Sequence, residues 1–409
     1  MPTKLGPQEG PAALNPLIAD LRSSAIRDLL ALTQAPGVLS LAGGLPAADT
    51  FPADAVSAAA ARLLAGDPAA ALQYATTEGH PLLRAWIARY EAARSGREVD
   101  PDRVLVTSGS QQALDLLIRT LCAPGAVVAV EEPGYLGALQ ALRAAGASLR
   151  PFPVDAEGLD VEALAEALAG GLRPVALYTV ATHQNPTGVT LSAERRRTLG
   201  ELADRYGFVV IEDDPYAELW FEAPPPPPIR RATEWAVTLG SFSKTVAPGL
   251  RVGWAVLPDA LHAPMVRLKQ AADLQAGTFS QALVAALVTD EHWWSDHLVR
   301  LRSVYAQRAG ALAGALAERF GDSLALNRPL GGMFLWGRFT DGADAAEVLR
   351  AALERHVAFV PGAEFFTGPP DRGAVRLSFA TNPPAQLAEA AARLARAHEQ
   401  ATRRRPPAP

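Results

Sequence analysis

The sequence predicts an α/β protein, a mostly parallel sheet with helices on both faces, followed by a smaller α/β domain. Three observations carry that prediction. From Val104 onward, short β-rich apolar runs alternate with helical patterns, the rhythm of parallel strands joined by helical crossovers. The chain has 409 residues, 49% hydrophobic and 20% charged, enough apolar material for a large core and enough length for two linked domains. Polar clusters fall where the apolar runs end, and open α/β sheets hold their ligands beyond the carboxyl ends of their strands.

Composition excludes several classes. A net charge of -5 offers no basic field for nucleic acid. The single cysteine, Cys122, lies in the apolar stretch LLIRTLCAPG, reads as a lone buried thiol, and fits a reducing compartment. The first residues, MPTKLGPQEGPAALNP, lack the apolar run of a signal peptide, and no uninterrupted apolar stretch reaches membrane-spanning length. The expectation is a soluble cytoplasmic protein with no membrane or nucleic-acid partner and no metal ligands.

In chain order, residues 1–15 are rich in Gly and Pro and read as a mobile tail. A helix is expected over Pro16–Leu32, carrying Arg22 and Arg27. Gly43, Gly44 and Pro46 make VLSLAGGLPAADTFP a turn-rich loop. Ala53–Leu64 reads as a helix with an aspartate ahead of it as a weak cap. LQYATTEGHPLLRAWIARYEAAR starts as a loop and becomes an amphipathic helix, with Pro81 suited to its first turn. Strands are expected at 104–108, 127–131, 176–180, 208–213, 236–241 and 253–257. Most are separated by helices, at Gln111–Cys122, Tyr135–Ala145, Val161–Ala169 and Ala193–Tyr206. The run Pro224–Pro228 belongs on a surface loop, because proline enters neither a helix interior nor a central strand. A long helical region is expected from about Leu261 to Glu318. The stretches 331–339, 357–362 and 374–380 then read as strands of the smaller domain, and a last helix precedes the basic, proline-rich tail RRRPPAP. No internal repeat is present.

The strand-end clusters carry the chemistry. Thr107-Ser108-Gly109-Ser110-Gln111 joins a strand to a helix, where hydroxyls, free N–H groups and the helix dipole make a ready phosphate site, although a plain helix cap fits equally. Glu131-Glu132-Pro133-Gly134-Tyr135 sets an aromatic ring at a strand end, able to stack on a flat ligand. His183-Gln184-Asn185-Pro186-Thr187-Gly188 offers Asn185 as a partner for a phenolic oxygen. Glu212-Asp213-Asp214-Pro215-Tyr216 ends the apolar run FVVI with carboxylates, which are costly there unless they meet a cation or a donor. Tyr216 can return toward the same ring. In TLGSFSKTVAPGLRVGW, Lys244 lies among Ser241, Ser243 and Arg251, and positive charge with burial is what makes a lysine amine reactive. That stretch alone fits an ordinary surface lysine equally well. Together the clusters describe one ligand with a phosphate, a flat ring, a phenolic oxygen, a ring nitrogen and an imine-forming carbon.

These motifs, SGSQQ, EEPGY, HQNPTG, EDDPY, SFSK and GLRVGW, resemble in type and order those of the class I/II aminotransferases of pyridoxal-phosphate fold type I. The resemblance spans about residues 15–400. Through SLAGGLPAADTFP, LQYATTEG, GGMFLW and VRLSFA it is most similar to the 2-aminoadipate and kynurenine aminotransferase branch. It implies a mostly parallel seven-stranded sheet between helices in a large pyridoxal-phosphate domain, residues 47–295. Residues 16–46 would join a small C-terminal domain, residues 296–400, before a disordered tail, 401–409. It implies pyridoxal 5'-phosphate bound as a Schiff base to Lys244, with Asp213 on the pyridine nitrogen. Asn185 and Tyr216 would meet the phenolic oxygen, and Tyr135 would stack on the ring. Ser108, Gly109, Ser110, Gln111, Ser241, Ser243 and Arg251 would surround the phosphate. Tyr74 would reach the phosphate of a neighbouring subunit, making the active unit a homodimer with shared sites. Arg376 would pair with the substrate α-carboxylate, Gly44 would leave room for the substrate, and Arg27 could meet an acidic side chain. The peptides before Pro186 and Pro133 would be cis.

The implied reaction moves an amino group from an L-amino acid to a 2-oxo acid such as 2-oxoglutarate, with Lys244 transferring the α-proton. Two other readings share the cofactor motifs. One is β-elimination, cyclisation or oxidation of an amino acid on the same frame. The other is the effector domain of a MocR-like regulator, suggested by His183 before Gln184 and opposed by the lack of a winged helix-turn-helix ahead of the fold.

Overall fold

The computed structural model describes residues 15–19 and 37–403. Its strands are β1 (Leu39–Ser40), β2 (Val104–Thr107), β3 (Val127–Glu132), β4 (Ser148–Asp155), β5 (Gly158–Leu159), β6 (Ala176–Thr179) and β7 (Val209–Asp213). These are followed by β8 (Ala236–Ser241), β9 (Gly253–Val256), β10 (Leu324–Leu326), β11 (Phe334–Phe339), β12 (Val357–Ala358), β13 (Val360–Pro361) and β14 (Ala374–Ser378). The described helices begin with α1 (Pro16–Ala19), α2 (Ala53–Gly66), α3 (Pro68–Leu72), α4 (Pro81–Ser95), α5 (Ser110–Leu121) and α6 (Leu136–Ala144). Next come α7 (Val161–Ala169), α8 (Ala193–Tyr206), α9 (Asp259–Ala272), α10 (Thr278–Val288), α11 (Glu291–Phe320), α12 (Ala345–Leu353) and α13 (Pro384–Arg403).

Period-two alternation sends neighbouring strand residues to opposite faces, and the large sheet uses it throughout. In β7, Val209 and Ile211 join one apolar cluster while Val210 joins another; Tyr178 and Leu177 divide in the same way in β6. Both faces are therefore buried, the condition for a parallel sheet. The strand order is β2-β9-β8-β7-β6-β3-β4-β5. Pairings from β8 to β4 are parallel, and β9 runs against both of its neighbours. The mostly parallel sheet is as expected, but it has eight strands instead of seven, the extra one being the two-residue edge strand β5.

β4 escaped the sequence reading because Pro151 and Pro153 interrupt it. It lies next to the edge, and both prolines fall on the parity opposite to Ser148, whose N–H donates toward β3, so neither N–H is missed by the ladder to β3. The expected long helical region after Leu261 is three helices. Leu274 breaks the first with φ 66°, and Asp290 opens the last by accepting from Trp293 N–H. The expected aspartate cap of α2 is not made: its N-cap is Pro52, with no side-chain hydrogen bond, and Asp49 instead pairs with Arg308. Pro81 opens α4 as read. Pro224 is exposed in the proline run, whereas Pro228 is buried. Cys122 is half-buried, and burial pushes its thiol above the ordinary range.

A four-stranded antiparallel sheet, β10-β11-β14-β13, forms the C-terminal unit, and β1 pairs in parallel with β12 beside it. One apolar cluster runs from the large sheet into this unit, taking in Tyr178, Ile211, Phe334, Leu377 and Leu387. The peptides Glu132–Pro133 and Asn185–Pro186 are cis.

Candidate active site

The carboxyl ends of β6, β7 and β8 open onto a pocket of about 310 Å³, closed on its other side by β14 and the loop after β1. Gly44, Ser110, Gln111, Tyr135, Asn185 and Asp213 line it, together with Tyr216, Ser241, Ser243, Lys244, Arg251 and Arg376. Residues at or just after the ends of five strands of the large sheet, β2, β3, β6, β7 and β8, therefore meet Arg376 of the four-stranded sheet in one place.

Asp213 is the last residue of β7 and is 5% exposed. Tyr178 Oη donates to Asp213 Oδ2 at 2.8 Å, while Oδ1 has no hydrogen-bond partner among the described residues. Burial raises the carboxyl to about 7, and the charges of Asp214 and Glu131 push the same way against the Tyr178 bond and Lys244. The flanking carboxylates each meet an arginine: Glu212 takes Arg196 Nη1 at 2.9 Å, and Asp214 Oδ2 takes the Arg94 guanidinium, its Oδ1 having no partner among the described residues and lying outside the pocket lining. Glu131 is buried but receives the Thr179 hydroxyl, Val180 N–H and the Gln184 amide. Asp213 alone among these carboxylates leaves an unpartnered oxygen facing the pocket.

Lys244 sits in the turn after β8, and its Nζ donates to Gly44 O at 2.8 Å. Burial, with Arg251 and Arg376 nearby, lowers the ammonium to about 8, which Asp213 partly opposes. In the same turn, Ser241 Oγ donates to Ser243 Oγ at 2.9 Å and accepts from Ser243 N–H at 3.1 Å.

Arg376 is 2% exposed in the middle of β14. Its Nη1 donates to Asn185 Oδ1 at 2.8 Å and its Nη2 to Ala42 O at 2.7 Å, while Nε has no partner among the described residues. The guanidinium lies between two rings, 4.3 Å from the centroid of Phe334 and 4.9 Å from that of Phe365. Desolvating a cation costs several kcal/mol. Two charge-assisted hydrogen bonds of about 1.5–3 kcal/mol each and two ring faces of up to about 2 kcal/mol each offset most of that. Burial still lowers Arg376 to about 10.

The remaining residues from the sequence reading fall as follows. Tyr135 folds over Gly137, where a Cβ would lie 2.6 Å from the phenol, and its hydroxyl donates to Gln111 Oε1 at 3.5 Å. A Cβ on Gly44 would lie 3.1 Å from the Phe334 ring. Ser108 and Gly109 lie behind the pocket wall: Ser108 Oγ turns to Asp273, and Gly109, at φ 82°, passes under Arg251. Tyr74 is 77% exposed and outside the lining. Arg27 lies outside the described residues. Leu45, Val180 and Pro215 also line the pocket and were not singled out in the sequence. Nor was Tyr178, whose partnership with Asp213 depends on strand register: Tyr178 pairs with Ile211, two residues before Asp213.

Residues 36–394 match the family model of aminotransferase class I and II. A 2-aminoadipate transaminase of Thermus thermophilus is 42% identical over 383 residues, 92% of this chain and 94% of that protein. The structure of an α-aminoadipate aminotransferase from Thermus thermophilus, complexed with N-(5'-phosphopyridoxyl)-L-leucine, superposes with a TM-score of 0.88 at 39% identity, covering 96% of this chain and 98% of that one. A kynurenine aminotransferase from Pyrococcus horikoshii gives a TM-score of 0.90 at 36% identity, covering 95% and 97% of the two chains. Fold and likeness together define a pyridoxal-phosphate enzyme of fold type I. More narrowly, the chain belongs to the class I and II aminotransferases.

Proposed function

We propose that this aminotransferase holds pyridoxal phosphate in the described pocket through Lys244 on its aldehyde carbon and Asp213 on its ring nitrogen. One observation carries the reading. The Lys244 amine, the unpartnered Asp213 Oδ1 and the unpartnered Arg376 Nε belong to side chains lining one cavity. The donor set fits the cofactor at each of its ends. Asn185 and Tyr216, which line the cavity, are proposed for the phenolic oxygen, and Ser110, Gln111, Ser241, Ser243 and Arg251, which line it too, for the phosphate. Gly109 and Gly253 support this, because a Cβ on Gly109 would displace the Arg251 guanidinium and one on Gly253 would press on Ser110 N.

When bound, the cofactor supplies an electron sink joined to the substrate's amino group. The chain's own residues do the rest. Arg376 binds the α-carboxylate and fixes the substrate's orientation. Lys244 Nζ takes the α-proton and returns it, a role for which its lowered pKa suits it. Asp213 Oδ1 would accept the ring N–H, and Tyr135 would lie against the ring.

The active unit proposed is a homodimer in which the exposed Tyr74 serves the neighbouring site. The division proposed is into a large domain, 47–295, and a small one, 296–400; the eight-stranded sheet lies within the first range and the four-stranded sheet within the second, which supports the reading. No described helix is long and apolar enough to cross a membrane. A cytoplasmic location is part of the proposal.

The proposed donors are amino acids of the kind named for the relatives, 2-aminoadipate and aromatic amino acids, with 2-oxoglutarate as acceptor. Full-length protein with pyridoxal phosphate, 2-oxoglutarate and each amino acid in turn is expected to form glutamate. Lys244→Ala is expected to abolish it. A panel that yields no glutamate overturns the donor and acceptor reading, and full turnover by Lys244→Ala overturns the site.

A further inference from the structure

Behind the Ser108–Gly109 turn lies a lysine that the proposed chemistry does not use. Lys269, on α9, is fully buried. Its Nζ donates to Asp273 Oδ1 at 2.8 Å, to Asp273 Oδ2 at 3.0 Å and to Gln112 Oε1 at 3.0 Å. A buried ammonium is tolerated only when its donors are matched, and this one meets acceptors on two elements.

Those acceptors both hold Ser108. Gln112 Oε1 accepts from Ser108 N–H at 2.8 Å, and Asp273 Oδ2 accepts from Ser108 Oγ at 3.3 Å and from Gln112 Nε2 at 2.6 Å. From the other side, Arg251 Nη2 donates to Ser108 O at 3.2 Å. Ser108 is therefore gripped at its N–H, its hydroxyl and its carbonyl.

The turn that follows has no slack. A Cβ on Gly109 would lie 2.4 Å from Arg251 Nη2, and one on Gly253 would lie 2.5 Å from Ser110 N. The same loop also reaches the segment that carries Tyr74. Asp273 N–H and Leu274 N–H both donate to Lys269 O, and Gln275 Oε1 accepts from Ala75 N–H, beside Tyr74.

We infer that Lys269 is a positioning residue for the phosphate end of the site. Its ammonium joins Gln112 on α5 to Asp273 after α9, so that Ser108 is held as a fixed anchor and the first turn of α5, with Ser110, presents its hydroxyl and N–H groups in one direction. The inference rests on the reading that the cofactor's phosphate lies at Ser110 and Arg251.

The test compares binding of pyridoxal phosphate with binding of pyridoxal, which lacks the phosphate, to full-length apoprotein. For Lys269→Met, affinity for pyridoxal phosphate is expected to fall about tenfold, the lower end of what outer-shell partners contribute at other sites. Pyridoxal affinity is expected to stay within about twofold, because the Lys244 and Asp213 end is untouched. Asp273→Asn, at a partly exposed position, is expected to act in the same direction and serves if Lys269→Met does not fold. Arg251→Met is the control for the underlying reading. If it leaves the ratio of the two affinities unchanged, the phosphate placement falls and the inference falls with it. If it lowers the ratio while Lys269→Met and Asp273→Asn do not, or if those two weaken both ligands equally, the positioning role alone is overturned.

Discussion

Arg251 and Arg376 stand at two sides of one pocket and are built in opposite ways. Arg251 is exposed, sits in a left-handed turn at φ 53°, and its guanidinium makes one hydrogen bond among the described residues, to the Ser108 carbonyl. Arg376 is sealed in a strand between two rings, with a side-chain amide and a carbonyl fixing its plane. A guanidinium in water is screened and relies on neighbouring donors to hold an anion. One set in a dry wall has already lost its hydration, so an arriving carboxylate meets the full charge. On the proposed reading the difference matches two tasks: the exposed side suits a group that stays bound, the sealed side a group that must be selected and released each turnover.

The largest expected effect breaks the sealed side. For Arg376→Met, kcat/KM is expected to fall by about three orders of magnitude, the scale on which losing one member of a buried, hydrogen-bonded charge pair acts. Arg376→Lys is expected to recover little, because an ammonium cannot hold Asn185, Ala42 and a carboxylate in one plane. Steady-state kinetics at saturating cofactor checks both, and near wild-type turnover by Arg376→Lys would contradict the planar role. The exposed side should give a smaller loss of a different kind. For Arg251→Met, affinity for pyridoxal phosphate is expected to drop about tenfold while kcat at saturating cofactor stays close to wild type. Equilibrium titration of apoprotein, followed by kinetics with excess cofactor, separates the two quantities.

The smallest effect is on pH and compares the two arginines directly. Lys244 is pushed down to about 8 by burial and then by Arg251 and Arg376, in that order. The neutral amine is the reactive form and is present above the pKa, so apoprotein should react faster with pyridoxal phosphate as pH rises through about 8 and level off beyond it. Removing either positive charge favours the ammonium and moves the midpoint to higher pH, Arg251→Met more than Arg376→Met. Stopped-flow rates against pH measure this, and a midpoint that moves downward would break the electrostatic account.

What could be read from the sequence was what local strings carry. Lys244, Asp213, Asn185 and Ser110 each stand in a short motif at the end of an apolar run, and all four come to the pocket. Partnerships that depend on register or on packing between sheets left no such trace. Tyr178 bonds Asp213 only because β6 and β7 pair in one register, and the Phe334–Arg376–Phe365 sandwich exists only once the small sheet closes. β4 was hidden by prolines that its place near the sheet edge tolerates. The break at Leu274 was hidden because no glycine marks its positive φ.

The three acidic residues at the end of β7 have one more consequence. Glu212 and Asp214 belong to the scaffold, each locked to its own arginine, while Asp213 between them turns its free oxygen to the pocket. The strand thus keeps its structural wiring apart from its working terminal. A change at 213 alone would cost the Tyr178 bond and alter what the pocket can do while leaving the ion pairs at 212 and 214 in place.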